Sequence, residues 1–246
     1  MPRICHVTSA HARHDPRIFV KQCSTLADAG YDVTLLVNDD LGNEVVNGVV
    51  NGVVIVSTGR KPRNRWIRFF RSRVALWDLV KKIDADVYQF HDPDLLPIAF
   101  KLKRRFGKKV IFDFHENTER QILDKDWIPG PLRPMIAPIY GSYERRVASR
   151  CDAIITVTPE LVEKMSALNE NTVMITNYPI VDSSSESMQE RRGTRTVCFA
   201  GGITPQWNHD KVIQAIDRID VLVTCSTEMV RQIMWRICAG FRDGGR

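Results

Sequence analysis

The stretch "RICHVTSAHARHDPRIFVKQCSTLADAGYDVTLLV" (residues 3–37) decides the fold of this chain. It predicts a strand, a loop, a helix and a second strand, in that order. Asp15 is typical of a helix N-cap and Pro16 of the first helical turn, while Gly30 suits the end of a helix. A strand–helix–strand unit of this kind indicates parallel strands covered by helices, so we expect an α/β protein.

The same alternation of strand and helix patterns continues through most of the chain. Short runs rich in β-branched and aromatic residues are separated by segments in which apolar residues recur at helical spacing. Because helical segments separate these runs, they favour a parallel sheet. Further strands are predicted at residues 53–57, 86–92, 109–116, 152–158 and 171–180.

A polar, Ser-rich and charged segment, residues 181–195, predicts a linker between two domains. The first domain then covers residues 1–180 and the second residues 196–246. The second begins with "TVCFAGGITPQWNHDKVIQAIDRI" (residues 196–219), which is typical of a strand, a glycine pair and a helix. Only 27 residues follow Ile219, so we expect an incomplete second α/β domain.

The composition is that of an ordinary water-soluble globular protein. Of the 246 residues, 43% are hydrophobic and 26% charged, and no apolar run approaches the roughly 18 residues that span a bilayer. The six cysteines form no CxxC pair, which favours reduced thiols in the cytosol. The formal net charge of +6 suggests an acidic partner such as nucleic acid, anionic lipid or a phosphorylated substrate.

Two predicted strands each deliver a histidine and a carboxylate to the same edge of the sheet. His91 and Asp92 follow one buried strand, and His115 and Glu116 follow the next. Ligands of open α/β sheets bind beyond the carboxyl ends of the strands, so these residues are candidates for a site. The alternative is that they cap the helices that follow, and Pro93 favours that alternative for Asp92. No third histidine lies nearby in the sequence, so no metal site is predicted.

The basic, aromatic stretch "RKPRNRWIRFFRSRVALWDLVKK", from Arg60 to Lys82, has two open interpretations. It is either a helix lying on an anionic membrane surface or a cover helix packed on the sheet. Nucleic-acid binding has no motif to support it, so no nucleic-acid partner is expected. A GxSxG elbow is absent and the first loop contains no GxGxxG, which argues against a serine hydrolase and a dinucleotide oxidoreductase.

Seven segments, in order along the chain, together resemble a known family. They are "SAHARHDPRIFVKQCSTLADAGYDVTLLV", "FHDPDLLPIAFKLKR", "KKVIFDFHEN", "ILDKDWIPGPLR", "CDAIITVTPELVEKM", "NYPIV" and "VCFAGGIT". The set resembles glycosyltransferase family 4, whose members have the GT-B fold of two Rossmann-like domains. The resemblance implies a Rossmann-like parallel sheet with helices on both faces, followed by an incomplete second Rossmann-like domain.

The resemblance also implies a reaction and a division of labour. A sugar passes from a nucleotide-sugar donor, bound by the C-terminal domain, to a saccharide or lipid-linked acceptor on the side of the N-terminal domain. His115 matches the active-site histidine, and His91 and Asp92 match the segment that lines the same cleft. Gly201 and Gly202 match the turn beneath the donor phosphates, where a side chain would block close approach.

Glu116 and Trp127 are expected on the same acceptor-side cleft. Trp127 either stacks on a sugar ring or fills its own proline-rich loop. Enzymes of this family are typically retaining and need no metal or other cofactor. The implied role is cell-surface polysaccharide synthesis, such as that of lipopolysaccharide. The expected location is the cytoplasm, with peripheral contact at the inner face of the membrane through the stretch from Arg60 to Lys82.

The end of the chain departs from the family pattern. The donor domain of the family contains a pair of glutamates spaced E-x7-E, and nothing in this chain matches them. The segment "VLVTCSTEMVRQIMWRICAGFRDGGR" (residues 221–246) follows instead. We therefore expect a truncated donor domain and an inactive chain when it is alone. The alternatives are a non-catalytic acceptor-binding module and a basic membrane-surface protein.

Overall fold

The computed structural model describes residues 1–46, 52–59, 72–125, 127–178, 180, 196–199, 208–216 and 222–225. The chain divides into two compact units, Met1–Pro179 and Ile180–Arg246. The predicted linker, Gly201, Gly202 and residues 60–71 of the basic stretch lie outside the described residues. The proposed domain bounds and the roles of these residues therefore stay predictions.

One eight-stranded sheet forms the centre of the first unit, and it confirms the α/β prediction. The strands are β1 (Arg3–Val7), β2 (Asp32–Val37), β3 (Glu44–Val46), β4 (Val53–Ser57), β5 (Val87–Phe90), β6 (Lys109–Phe114), β7 (Ala153–Thr156) and β8 (Thr172–Met174). Their order across the sheet is β3-β4-β2-β1-β5-β6-β7-β8. Neighbouring strands are parallel except for the antiparallel pair of β3 and β4.

The strand order changes direction between β1 and β5. From β1 the chain moves outward through β2 to β4, and it then returns to β5 on the other side of β1. The carboxyl ends of β1 and β5 therefore form the topological switch point of the sheet. Ligands of open α/β sheets bind at this point.

The first helix begins at the cap that the sequence predicts. The first helix, α1, has wide π-type turns over Pro16–Cys23 and regular α-helical turns over Ser24–Asp28. Asp15 accepts hydrogen bonds from the backbone amides of Arg17, at 2.8 Å, and Ile18, at 2.9 Å, which confirms the predicted N-cap. The other described helices of this unit are α2 (Arg73–Lys82), α3 (Leu96–Phe106), α4 (Thr118–Asp124), α5 (Arg133–Ala148) and α6 (Pro159–Ser166).

Alternation along the strands gives the sheet two different faces. Phe90 and Phe112 belong to a buried cluster that α2, α3, α5 and α6 cover. On the other face Leu35 packs with Ile18 of α1. Each large apolar side chain buried in this way contributes about 1.5–3 kcal/mol. Helices therefore cover both faces, as the family resemblance implies.

The second unit contains a short strand–helix–strand sequence. Strands β9 (Thr196–Phe199) and β10 (Leu222–Cys225) form a parallel pair with Thr196 opposite Leu222. Helix α7 (His209–Ile216) lies between them in the sequence. This is the order of elements that the sequence predicts. Within the described ranges of the whole chain, no helix is long and apolar enough to span a bilayer.

Candidate functional site

The loops that follow β1 and β5 are joined at the switch point by Asp92. Its Oδ2 accepts hydrogen bonds from Thr8 Oγ1 at 2.6 Å and from the backbone amide of Ser9 at 2.7 Å. Asp92 is buried, and its side chain makes no hydrogen bond to the turn Pro93–Leu95, although its backbone carbonyl accepts from the amide of Leu95 at 3.0 Å. Asp92 therefore occupies the N-cap position of that turn, but its side chain does not cap it. Its carboxylate instead holds the first loop against the end of β5.

A buried polar cluster lies just beneath this edge, on the sheet face that α1 covers. Asp113 is its centre and accepts two parallel hydrogen bonds from Arg17, at 3.0 Å from Nε and 2.7 Å from Nη2. Gln22 Nε2 donates to the same carboxylate at 3.0 Å. Although burial opposes ionisation, the nearby His115 and hydrogen bonds from His91 and Arg17 hold the pKa of Asp113 well below its usual range. Asp113 is therefore a fixed, buried negative charge.

His91 is part of this cluster and does not reach the surface. Its side chain is completely buried, with Nδ1 3.1 Å from Asp113 Oδ2 and Nε2 3.0 Å from His6 Nδ1. Because an ionised carboxylate only accepts, His91 Nδ1 donates to Asp113. Burial, together with the neighbouring His91, lowers the pKa of His6 to about 3, so His6 is neutral. His91 therefore belongs to the buried cluster beneath the carboxyl edge of the sheet, whereas the sequence predicts it at that edge.

His115 lies above Asp113 and is partly accessible. Its Nδ1 is 3.2 Å from the carbonyl oxygen of Asp113 and 3.8 Å from Asp113 Oδ1, and its side chain is 15% exposed. A carbonyl oxygen only accepts, so Nδ1 carries the hydrogen and Nε2 points away from Asp113. Burial lowers the pKa of His115, but Asp113 and Glu116 outweigh it and the pKa is raised. This histidine has a fixed orientation and an enhanced tendency to be protonated.

His11 completes the edge, and sequence reasoning missed it. Its ring centroid is 5.5 Å from that of His115. Its Nδ1 is 3.1 Å from Asp15 Oδ2 and its Nε2 is 3.6 Å from Asp92 Oδ1. The available signal was its position directly after β1, at the same edge as the other candidates. The loop after β1 therefore contributes to the site although it contains no glycine-rich turn.

Glu116 and Trp127 are the remaining candidates of the first unit. Glu116 is exposed and accepts a hydrogen bond from Gln121 Nε2 at 2.9 Å, and it lines a narrow crevice together with His91 and His115. Trp127 lies in the loop between α4 and α5 and is 39% exposed. Ile128 fills part of this loop, since it packs with Ile122 and Ala137. The stacking of Trp127 on a sugar ring stays a prediction.

The family assignment follows from the sequence of this unit. The family signature described as Glycosyltransferase Family 4 matches residues 17–178, which is more than half of the chain. The chain belongs to glycosyltransferase family 4. Membership confirms the resemblance in the sequence, and it assigns glycosyl transfer as the class of reaction. No curated protein matches the chain.

Solved GT-B glycosyltransferases share the fold of this family 4 chain. Sucrose-phosphate synthase from Thermosynechococcus elongatus is 13% identical, with a TM-score of 0.58 over 92% of this chain and 70% of that one. The catalytic domain of starch synthase IV from Arabidopsis thaliana, bound to ADP and acarbose, is 11% identical, with a TM-score of 0.55 over 98% and 72%. Anabaena HepE, in complex with UDP and glucose, is 10% identical, with a TM-score of 0.56 over 92% and 60%. At these identities the similarity shows the fold alone.

Proposed function

We propose that the chain is a retaining, metal-independent glycosyltransferase that needs no other cofactor, with an acceptor-side first domain and the start of a donor-binding domain. The donor is a nucleotide sugar and the acceptor a saccharide or lipid-linked saccharide. The observation that carries this proposal is the position of His115, a partly exposed and oriented histidine at the switch point of a family 4 sheet.

His115 has the properties that the reaction requires. Its Nε2 points away from Asp113, so it is the ring atom available to a sugar hydroxyl or a leaving phosphate. The raised pKa of His115 increases the fraction that is positively charged near neutral pH. A fixed positive group stabilises negative charge that develops on a leaving group. Asp113, Arg17 and His91 are positioning residues, because they hold His115 from below.

The ligands of the neighbours are consistent with these partners. HepE was solved with UDP and glucose, and starch synthase IV with ADP and acarbose. On this chain His11 and Glu116 lie beside His115 and carry groups that form hydrogen bonds with hydroxyls. The accessible Trp127 offers an apolar surface on which a sugar ring can stack.

Cell-surface polysaccharide synthesis in the cytoplasm, at the inner face of the membrane, remains part of the proposal. Of the basic stretch, α2 (Arg73–Lys82) is described, and its Leu76 and Val80 are buried against the sheet. This half of the stretch is therefore a cover helix. We therefore propose membrane contact for residues 60–71, a segment in which Arg and aromatic residues are interspersed.

Titration of the full chain with UDP-, GDP- and ADP-sugars tests the proposal. We expect at least one donor to raise the unfolding temperature, because a ligand that binds only the folded state stabilises it. His115→Ala should reduce that stabilisation, and His14→Ala, an exposed histidine outside the site, should not. Stabilisation without release of nucleoside diphosphate would match the expectation of a chain that is inactive alone. If no donor stabilises the chain, the proposal fails in favour of a non-catalytic acceptor-binding module.

A further inference from the structure

A second concave surface lies at the opposite edge of the sheet, far along the strands from His115. It is a groove of about 500 Å³, within the range of about 300–1,000 Å³ that small-molecule sites occupy. Val110, at the start of β6, and Cys151, just before β7, form part of its floor. The carboxyl-terminal ends of α3 and α5 form its walls. No part of the proposed glycosyl transfer uses this groove.

The walls of the groove carry four cations. Lys103 and Arg104 come from α3, and Arg146 and Arg150 from the end of α5. Lys103 pairs with Asp152 at 2.6 Å between Nζ and Oδ2. Within the part of the chain that the structure describes, Arg104 and Arg146 are exposed and have no carboxylate partner. The groove therefore holds positive charge that its own surroundings do not neutralise.

The two helix ends account for only part of this charge. Cations near the end of a helix complement its dipole, which is equivalent to about half a negative charge. Two such ends and Asp152 together supply about two negative charges against the four cations. The carbonyl of Arg146 already accepts from Arg150 Nη1 at 2.7 Å, so the end of α5 has its own donor. About two positive charges remain for a ligand.

The floor of the groove is apolar. It is formed by Ala99, Phe100, Val110, Val147 and Cys151. The guanidinium of Arg150 lies 6.0 Å from the centre of the Phe100 ring. A small inorganic anion would contact the cations and leave this floor unused. A ligand that carries an anion next to an apolar group would use both.

We propose that this groove binds a phosphate ester carried on an apolar group. The phosphate contacts Arg104 and Arg146, where positive charge is uncompensated, and the apolar group lies on Phe100, which is only partly buried. Arginine suits this role, because its planar fork matches phosphate oxygens. The phosphate belongs either to a lipid headgroup or to a soluble ester, and the chemistry of recognition is the same for both.

Binding to the full chain is measured with three probes: inorganic phosphate, hexyl phosphate, and phosphatidylcholine vesicles with and without phosphatidic acid. Hexyl phosphate should bind at least about tenfold more tightly than inorganic phosphate, since each buried methylene is worth about fourfold in affinity. Binding should weaken with salt. Arg104→Glu and Arg146→Glu should each lower the affinity for hexyl phosphate on the order of tenfold, because a cation near an anionic group is worth about fivefold and the change also adds repulsion.

Arg105→Glu is the matched control. Arg105 is the exposed neighbour of Arg104 on the same helix, and it does not line the groove. Its substitution by Glu changes the net charge by the same amount as the two groove substitutions. Vesicle binding that requires phosphatidic acid and is lost in the groove variants identifies a lipid headgroup as the source. Hexyl phosphate binding without vesicle binding identifies a soluble ester. The proposal is overturned if hexyl phosphate binds no better than inorganic phosphate, or if all three variants lose affinity equally.

Discussion

The ion pair between Arg17 and Asp113 is expected to be the most strongly coupled pair in the described part of the first unit. The perturbation is a double-mutant cycle with Arg17→Met, Asp113→Asn and the combined variant. The side chains are 7% and 0% exposed, and two parallel hydrogen bonds of 2.7 and 3.0 Å join them. Water therefore cannot replace either partner when the other is removed.

The magnitude follows from this burial. Removing one partner of a buried pair leaves an uncompensated charge and costs about 3–5 kcal/mol. Removing both leaves no unpaired charge, so the double variant should lose less than the sum of the single losses. We expect a coupling free energy of at least about 2 kcal/mol. Because the free energy of unfolding of a domain is typically about 5–15 kcal/mol, we expect the single variants still to fold at low temperature.

Urea unfolding, followed by circular dichroism, measures the free energy of unfolding of all four proteins. A parallel cycle on Arg3 and Asp84, which are 48% and 69% exposed at 2.9 Å, is the control and should show no measurable coupling. A coupling below about 1 kcal/mol would instead mean that Arg17 and Asp113 are each solvated or paired independently of the other.

Three further predictions concern stability. Burial raises the pKa of Glu144 to about 7, from 4.5, so the folded chain retains a proton that the unfolded chain loses as the pH rises. Wild-type stability should therefore fall between those pH values. Glu144→Gln should not show this fall and should be more stable by about 3 kcal/mol above neutral pH; parallel pH profiles would contradict this. Gly141→Ala places a Cβ against the flexible end of Glu119, which can move aside. Because helix propensity offsets the displaced contact, we expect the free energy of unfolding to change by no more than about 0.5 kcal/mol. A loss above about 2 kcal/mol would show that Glu119 is held in place. Asp15→Ala removes the N-cap of α1 and should cost about 1 kcal/mol in thermal unfolding, whereas an unchanged midpoint would show that the cap contributes nothing.

The sequence predicts the main strands well, because they are buried runs between clear helical patterns. The predicted strand at 53–57 coincides with β4, and the one at 109–116 extends two residues beyond β6. The edges of the sheet are predicted less well. Strand β3 (Glu44–Val46) has only three residues, too few for a periodic signal, and the strand predicted at 171–180 is limited to Thr172–Met174.

The sequence predicts the edge of the site but not its support. Strand ends place His91, Asp92 and His115 near the switch point, because parallel strands share a carboxyl edge. The partner of Asp113 is Arg17, 96 residues away, and no local pattern joins them. A signal was nevertheless present, since a carboxylate in the apolar run "KVIFDF" needs a buried partner.

The depth of His91 also depends on tertiary structure. His91 shares its strand face with Gln89, which donates to Gln22 of α1. The sequence does not tell which of the two faces α1 covers. Without that knowledge, His91 and His115 are equivalent candidates. In the structure one is completely buried and the other partly exposed.

The ionisation and tautomer of His115 show most directly whether Asp113 orients this histidine. Long-range nitrogen–proton NMR on the full chain reports both, and a His115→Gln variant assigns the signals among the six histidines. We expect a pKa above the usual value of about 6.5 and a neutral form with its proton on Nδ1. A pKa below that value, or a neutral form with its proton on Nε2, would contradict the claim that Asp113 orients His115 toward the cleft.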